Sequence, residues 1–362
     1  MGLEGIGILT GGGDCPGLNA VIRIVVKAAQ REHGAKTVGF IDAFAGLVEN
    51  RHRVLTQGDV SGLAAVGGTI LGTSNTANPF DHPIVRDGKK VREDLSDWAI
   101  TNFRNLELDA LIVVGGDGTQ SIANRLHLKG LPVVGVPKTI DNDLAGTDRT
   151  FGFDSAVQCV TWALDNIHTT AMSHHRVMVV EVMGRYAGWI ALAGGVAGGG
   201  DVILIPEIPY ELENVAKVIE ERSNWGRRFT IVVIAEGAKP KGGEMTVSRT
   251  VEGSPDPVRL GGCGVVLANR IEDLTGMESR AVILGHLQRG GSPTAFDRNL
   301  ATRYGHAAVR AAAEGKFGHM VALRGTEMVP VPLSEAVDHL RLVPLDHPLV
   351  QAARAGGVSF GD

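Results

Sequence analysis

Apolar, β-branched runs that end in glycine and give way to helical spacing recur along this chain, and no other feature narrows its possible folds as much. Residues 6–10, Ile-Gly-Ile-Leu-Thr, form the first run. Gly11-Gly12-Gly13-Asp14-Cys15-Pro16-Gly17 follows it, and residues 18–30 then carry apolar side chains at helix period. The pattern returns with a strand over 110–114, the turn Gly115-Gly116-Asp117-Gly118-Thr119 and a helix over 120–127. A further strand, 131–136, opens onto Lys138-Thr139-Ile140-Asp141-Asn142-Asp143. Strand, glycine turn and helix together aim backbone N–H groups and a helix N-terminus at an anion. Strands alternating with helices predict an α/β chain of doubly wound, mostly parallel sheet. At 362 residues the default is two such domains.

The rest of the chain continues the alternation. Helices are expected over 92–106, 155–172, 187–196, 260–274 and 294–314, and strands over 37–41, 176–182, 201–205, 229–235 and 281–284. Residues 42–62 have no clear period. Residues 67–75, Gly-Gly-Thr-Ile-Leu-Gly-Thr-Ser-Asn, make another glycine and hydroxyl loop, and 239–259 is a polar, glycine-rich stretch expected to be a mobile surface loop. The pair His174-His175 suggests a metal, but adjacent residues of a strand point apart, so both are read as structural.

Composition excludes several partners. A formal charge of −5 gives no support for nucleic acid or an anionic membrane. The three cysteines, Cys15, Cys159 and Cys263, are too few and scattered for a disulfide frame or a zinc site, which points to a reducing cytoplasm. The first residues enter a strand without a signal segment, and no apolar run approaches the roughly 18–20 residues a bilayer span needs. The 49 glycines gather at strand ends. Tight turns and close backbone approach to phosphate both call for them there.

One glycine loop is more often a plain turn, and a lone Asp-x-Asp is more often a solvated turn or helix cap. Here three loops, 11–13, 67–72 and 115–118, join Asp117 and the Lys138–Asp143 cluster, and the set favours a polyphosphate site. None has the spacing of a Walker A loop or a dinucleotide fingerprint. Asp117 suits Mg²⁺, which takes one or two carboxylates and fills its shell with phosphate and water. The second half offers cations, Arg176, Arg185, Arg280, His286 and Arg289, at or near strand ends. Singly these are ordinary salt-bridge residues; together they suit a phosphorylated small molecule. The inventory fits phosphoryl transfer to a hydroxyl, which needs charge neutralisation, alignment and a base. Asp141 is the candidate base, Thr139 its orienting neighbour, and Lys138 the cation for donor oxygens.

At these residues the chain resembles the 6-phosphofructokinase family over nearly its whole length. The matching motifs are 9–19 (Leu-Thr-Gly-Gly-Gly-Asp-Cys-Pro-Gly-Leu-Asn), 115–119, 137–143, 181–188 (Glu-Val-Met-Gly-Arg-Tyr-Ala-Gly) and 285–293. Their flavour is that of the mixed-donor bacterial group common among actinobacteria. The resemblance implies two βα domains with the active site in the cleft between them, a donor lobe of 1–152 plus 288–338 and a sugar lobe of 153–287 plus 339–362. It implies transfer of a phosphoryl group from ATP to the 1-hydroxyl of fructose 6-phosphate in glycolysis, with Mg²⁺ served by Asp117. Asp141, Thr139 and Arg185 would act in catalysis. Gly13, Asn75, Thr76, Gly116, Asp117, Gly118, Thr119 and Lys138 would hold the donor. The sugar phosphate would meet Thr139, Ile140, Asp141, Met183, Gly184, Arg185, Glu236, His286, Leu287, Gln288 and Arg289. Arg176 and Arg280 match arginines given across a subunit interface, which implies a homo-oligomer, a dimer or more usually a tetramer, without nucleic acid or membrane as partner.

Two positions bear on the donor. Pyrophosphate users of the family typically carry aspartate where this chain has Gly118, crowding and repelling a nucleotide's α-phosphate; they also carry a lysine like Lys138, where strict ATP users have glycine. Exclusion by a carboxylate outweighs a lysine that can contact either donor, so ATP is expected and pyrophosphate is the alternative. Asn75 departs from the family, which usually places an arginine there. Losing such a contact in the transition state removes about 2–4 kcal/mol, so a weakly active, regulatory paralogue is a second alternative, and compensation by Lys138 a third outcome. Another kinase with Gly-Gly-Asp-Gly-Thr, for NAD or a lipid, is opposed by motifs 137–143 and 285–293. Arg23 and Lys27 match the family's effector positions, while Gln57 replaces an arginine of that site.

Overall fold

A computed structural model describes residues 2–250 and 258–362. In chain order the structure begins β1 (Gly5–Thr10), α1 (Leu18–His33), β2 (Lys36–Phe40), α2 (Phe44–Val48) and β3 (His52–Leu55). The hairpin β4 (His82–Arg86) and β5 (Lys89–Glu93) precedes α3 (Ser96–Asn105), β6 (Ala110–Gly115), α4 (Asp117–Leu128), β7 (Val133–Thr139) and the short β8 (Phe151–Gly152). Then come α5 (Phe153–His174), β9 (Val177–Val182), α6 (Trp189–Ala197), β10 (Val202–Leu204), α7 (Leu212–Asn224) and β11 (Thr230–Ala235). The hairpin β12 (Val247–Thr250) and β13 (Val258–Leu260) leads to α8 (Cys263–Thr275), β14 (Ser279–Ile283) and α9 (Ala295–Ala313). The chain continues with β15 (His319–Arg324), β16 (Glu327–Pro332), α10 (Leu333–Val337) and α11 (Pro348–Ala355).

Two compact units divide these elements. The first holds Met1–Thr139, Leu144–Gly152 and Arg289–Leu340; the second holds Ile140–Asp143, Phe153–Gln288 and Arg341–Asp362. Relative to the expected lobes, residues 140–143 and Gln288 go with the second unit, and 339–340 with the first. The first unit's sheet runs β16-β15-β7-β6-β1-β2-β3, with β8 also on β7. It is parallel through its centre and antiparallel only at the edge pairs β15–β16 and β2–β3. The second unit's sheet, β10-β11-β9-β14, is parallel throughout. Every residue of β1, β6, β9 and β11 is buried, as sheets covered on both faces require. That is why these strands read as unbroken apolar runs. Leu9, Phe40, Phe103, Val113 and Leu126 belong to the first unit's core, and Val177, Val179, Leu204, Ile219 and Leu267 to the second's.

Several expectations are corrected. The helix read over 92–106 starts only at Ser96, because the Asp94 carboxylate accepts from both the N–H (2.9 Å) and the hydroxyl (2.6 Å) of Ser96. Its first residues belong instead to β5. The strand read over 131–136 runs to Thr139, since Lys138 and Thr139 pair with Phe151 and Gly152 of β8. Residues 120–127 extend back to Asp117. The stretch 239–259 contains β12 and the start of β13, and its residues 251–257 lie outside those described. His174 ends α5 and His175 follows in left-handed backbone, so the strand argument for them fails; among the described residues no cluster of metal-ligating side chains includes them. Among the described residues, no helix is long and apolar enough to cross a membrane.

Candidate active site

In the first unit the triple-glycine turn after β1 is tied to its neighbours by backbone. Gly11 N–H donates to the Val114 carbonyl (2.9 Å) and Gly12 N–H to that of Ser74 (3.1 Å), while the Thr73 hydroxyl donates to Gly12 (2.6 Å). The loops at 11–13, 73–76 and 115–119 therefore meet at the carboxyl ends of β1 and β6, where open α/β sheets bind ligands. Buried Lys138 donates its Nζ to the Gly13 carbonyl at 2.5 Å. A Cβ at 13 would stand 1.9 Å from Nη1 of Arg289, so a side chain there would need the guanidinium to swing aside. Arg289, expected on the sugar, thus lies in the first unit against the triple-glycine turn. Asn75 and Thr76 are exposed beside it, Thr76 N–H donating to Ser74 Oγ (3.2 Å). Cys15 is buried, and burial pushes its thiol up to about 12, so it is a neutral packing group.

Gly116 stands before α4, and its carbonyl accepts from Gln120 N–H (2.9 Å). Asp117 is exposed in the helix's first turn, and Thr119 is buried under Gly11 and Gly115. Gly118 differs from the other loop glycines. Its φ is not in the left-handed region, and a Cβ there would meet nothing within 4 Å. Nothing in the fold asks for glycine at 118. Sequence reasoning passed over Gln120, whose buried amide donates to the carbonyls of Gly115 (3.0 Å) and Val136 (2.9 Å) and so straps the ends of β6 and β7. A glutamine in a first helical turn carries no signal of that role.

The second unit holds a cavity of about 360 Å³ at the carboxyl ends of β9, β11 and β14, lined by Met183, Glu236 and His286 among others. Gly184 and Arg185 have positive φ, and Glu236 holds this turn by accepting from Arg185 N–H (3.2 Å). Gln288, almost wholly buried, accepts from Met183 N–H (3.2 Å) and donates to the Gly285 carbonyl (3.0 Å), so it positions the wall. Leu287 is largely exposed. Glu181, also in the wall, accepts from the N–H groups of Gly262 (2.9 Å) and Gly264 (2.7 Å) at the start of α8. Sequence reading quoted Glu181 only within a motif. The hairpin β12–β13 adds Ser248 and Leu260 to the lining, a contribution hidden in what read as a surface loop.

The segment Ile140–Asp143 is anchored within this unit. Ile140, Asn142 and Asp143 are buried, and Asn142 adopts left-handed backbone (φ 53°), a conformation asparagine tolerates. Arg341 N–H donates to the Asp143 carbonyl (2.8 Å) and its Nη1 to the Asn142 carbonyl (3.2 Å).

Arg176 and Arg280 are not brought into the cavity of their own chain. They sit at the amino ends of β9 and β14, Arg176 seven positions before Met183 and Arg280 in register with Met178, roughly 23 and 16 Å from Met183 along the strands. Both pair there with Glu278, at 2.7 and 2.6 Å, and the hydrogen bond from Arg176 holds the Glu278 carboxyl below its ordinary range. Of the five cations read at or near strand ends, Arg185 and His286 lie at the carboxyl ends of the second unit's strands, Arg176 and Arg280 at the amino ends, and Arg289 in the first unit.

Parallel sheets with a glycine-rich turn at strand carboxyl ends in one unit and a polar cavity in the other fit a phosphotransferase. Residues 5–312 match the family model described as phosphofructokinase, and the chain belongs to that family. It is 54% identical over 99% of its length, and 98% of the relative's, to an ATP-dependent 6-phosphofructokinase of Chloroflexus aurantiacus. It is 51% identical over 94% of its length, and 96% of the relative's, to a pyrophosphate--fructose 6-phosphate 1-phosphotransferase of Amycolatopsis mediterranei. Among solved structures, Pichia pastoris phosphofructokinase in the T-state matches with a TM-score of 0.79 and 34% identity, covering 93% of this chain and 36% of that one. The chain thus spans about a third of that longer protein.

Proposed function

We propose that this protein is an ATP-dependent 6-phosphofructokinase, moving the γ-phosphoryl of ATP to the 1-hydroxyl of fructose 6-phosphate and so serving glycolysis in the cytoplasm. The observation that carries the choice of donor is Gly118. Glycine costs stability in a helix, by about 1 kcal/mol against alanine, and open space surrounds its absent Cβ. The demand for glycine therefore comes from outside the chain, as a nucleotide passing close to the first turn of α4 would supply. The first unit is the donor lobe in this reading, with Gly13, Gly116, Gly118 and Thr119 giving close backbone approach, Lys138 neutralising phosphate oxygens, and Asn75 and Thr76 as polar contacts. Asp117, exposed in that turn, would hold Mg²⁺ together with phosphate oxygens, and the ion would neutralise charge on the donor.

The second unit is the sugar-phosphate lobe. Its cavity joins Met183, Glu236 and His286, with Gly184 and Arg185 at the same strand ends and Gln288 as support. Asp141 takes the proton of the acceptor hydroxyl, and Thr139 and Ile140 flank it. Arg176 and Arg280 serve the site of a neighbouring copy, a dimer or tetramer, which accounts for their distance from the cavity of their own chain.

A pyrophosphate-dependent reading is favoured by one observation, the buried Lys138 cation under the glycine loop, and a relative with that name is almost as similar as the ATP user. Initial rates with fructose 6-phosphate and Mg²⁺, at equal ATP and pyrophosphate, separate the two. Faster turnover with ATP is expected. Faster turnover with pyrophosphate would give Lys138 the deciding role, and none with either would put Asn75 at the centre.

A further inference from the structure

We infer that Arg341 is a positioning residue for Asp141, acting through the turn that follows it; the inference rests on the reading of Asp141 as the base. Asp141 is followed at once by a backbone reversal at Asn142, and the two carbonyls that come next in the chain both end on one residue. The Asn142 carbonyl accepts from Nη1 of Arg341 (3.2 Å) and the Asp143 carbonyl from its backbone N–H (2.8 Å). Arg341 is itself held at both ends. Its guanidinium lies over the face of Trp189, 4.4 Å from the ring centroid, and the Trp189 indole N–H donates to its carbonyl at 2.8 Å. Trp189 is buried, with His347 edge-on to it at 5.1 Å, and Val343, two residues beyond Arg341, donates its N–H to the carboxylate of Glu207 (2.8 Å). Asparagine tolerates left-handed backbone, and Arg341, fastened to a rigid ring, is one of the groups that fix this turn.

A base must meet its proton within a few tenths of an ångström, and a misplacement of about 1 Å can cost roughly 100-fold in rate. Losing the Nη1 contact frees the Asn142 carbonyl while the backbone bond to Asp143 remains, so the turn relaxes on the side nearer Asp141 and swings the carboxylate one residue away. The effect falls on turnover, while the cavity at Met183, Glu236 and His286 keeps its shape. Lysine at 341 keeps the charge, the backbone donor and a reach to the Asn142 carbonyl, but loses the planar stacking on Trp189.

The test is a double-substitution cycle on the full chain, with Arg341→Met, Arg341→Lys and Asp141→Asn. Arg341→Met is expected to lower kcat roughly 10- to 100-fold with KM for fructose 6-phosphate changed less than about 3-fold, and Arg341→Lys to restore most of the loss. In the Asp141→Asn background, Arg341→Met is expected to cost almost nothing more, because the group it positions is gone. The same fold-loss in both backgrounds, or a loss confined to KM, would overturn the inference and leave Asp141 in place. A full rate in Asp141→Asn alone would overturn the base assignment and this inference with it. If Arg341→Met does not fold, Arg341→Gln, which shortens the reach to the Asn142 carbonyl and removes the charge over Trp189, carries the cycle: additivity with Asp141→Asn overturns, non-additivity supports.

Discussion

At single positions the informative glycines are of opposite kinds. At Gly13 the Arg289 guanidinium occupies the space a side chain would need and would have to swing aside for one. At Gly118 that space is open, and the contrast turns it into a probe of the ligand. Gly118→Asp is expected to leave the thermal midpoint nearly unchanged, as an acidic residue suits a helix's first turn, yet to raise KM for ATP at least about 10-fold through like-charge repulsion and lost room while sparing pyrophosphate. Equal ATP kinetics in the variant would remove the argument from Gly118. Residue identity was legible at both places from their motifs. What differs between them, occupied against open space, is a property of neighbours 276 residues apart or absent, and no local pattern encodes it.

The elements divide in the same way. Strands buried on both faces, β1, β6, β9 and β11, announced themselves as apolar runs, and helices α1, α5 and α9 as long periodic stretches. The hairpins β4–β5 and β12–β13 did not: they are short, mix apolar with charged residues and are mostly exposed, so pairing across a hairpin, not burial, makes them strands. Nor did β15 and β16, although they complete the first sheet beside β7. Of the site, the motif residues were legible, whereas the groups that hold them, Gln120, Glu181 and Arg341, were not, because a hydrogen bond to a distant carbonyl leaves no spacing to read. Gln120 supplies the test at this scale. Gln120→Leu leaves two strand-end carbonyls without their shared donor, which costs about 1–3 kcal/mol. A lower urea midpoint and a raised KM for the phosphoryl donor, with KM for fructose 6-phosphate unaltered, are expected; an unchanged midpoint would show that the strap is dispensable.

Across the whole molecule, the second unit's cavity and the arginine pair Arg176 and Arg280 lie at opposite strand ends of one sheet. If that pair serves a neighbouring copy, two crippled chains can repair one another. Arg176→Ala and Asp141→Asn proteins, each nearly inactive, are expected to regain a measurable share of activity after being dissociated together and reassociated, since some mixed sites then draw every group from an intact source. Failure of the mixture, with reassociation confirmed by size, would confine the arginines to their own chain.

The division of the chain also has a consequence for how it is made. Each unit is stitched from three stretches: the first needs residues up to Leu340, and the second needs Arg341 onward, where Ser359 joins β10. Domains commonly fold one after another as the ribosome delivers them. Here neither can close early. The inner strand β7 stays uncovered along the side that β15 will take until residue 319 and beyond has been translated, a long interval in which a bare strand edge invites the wrong partner.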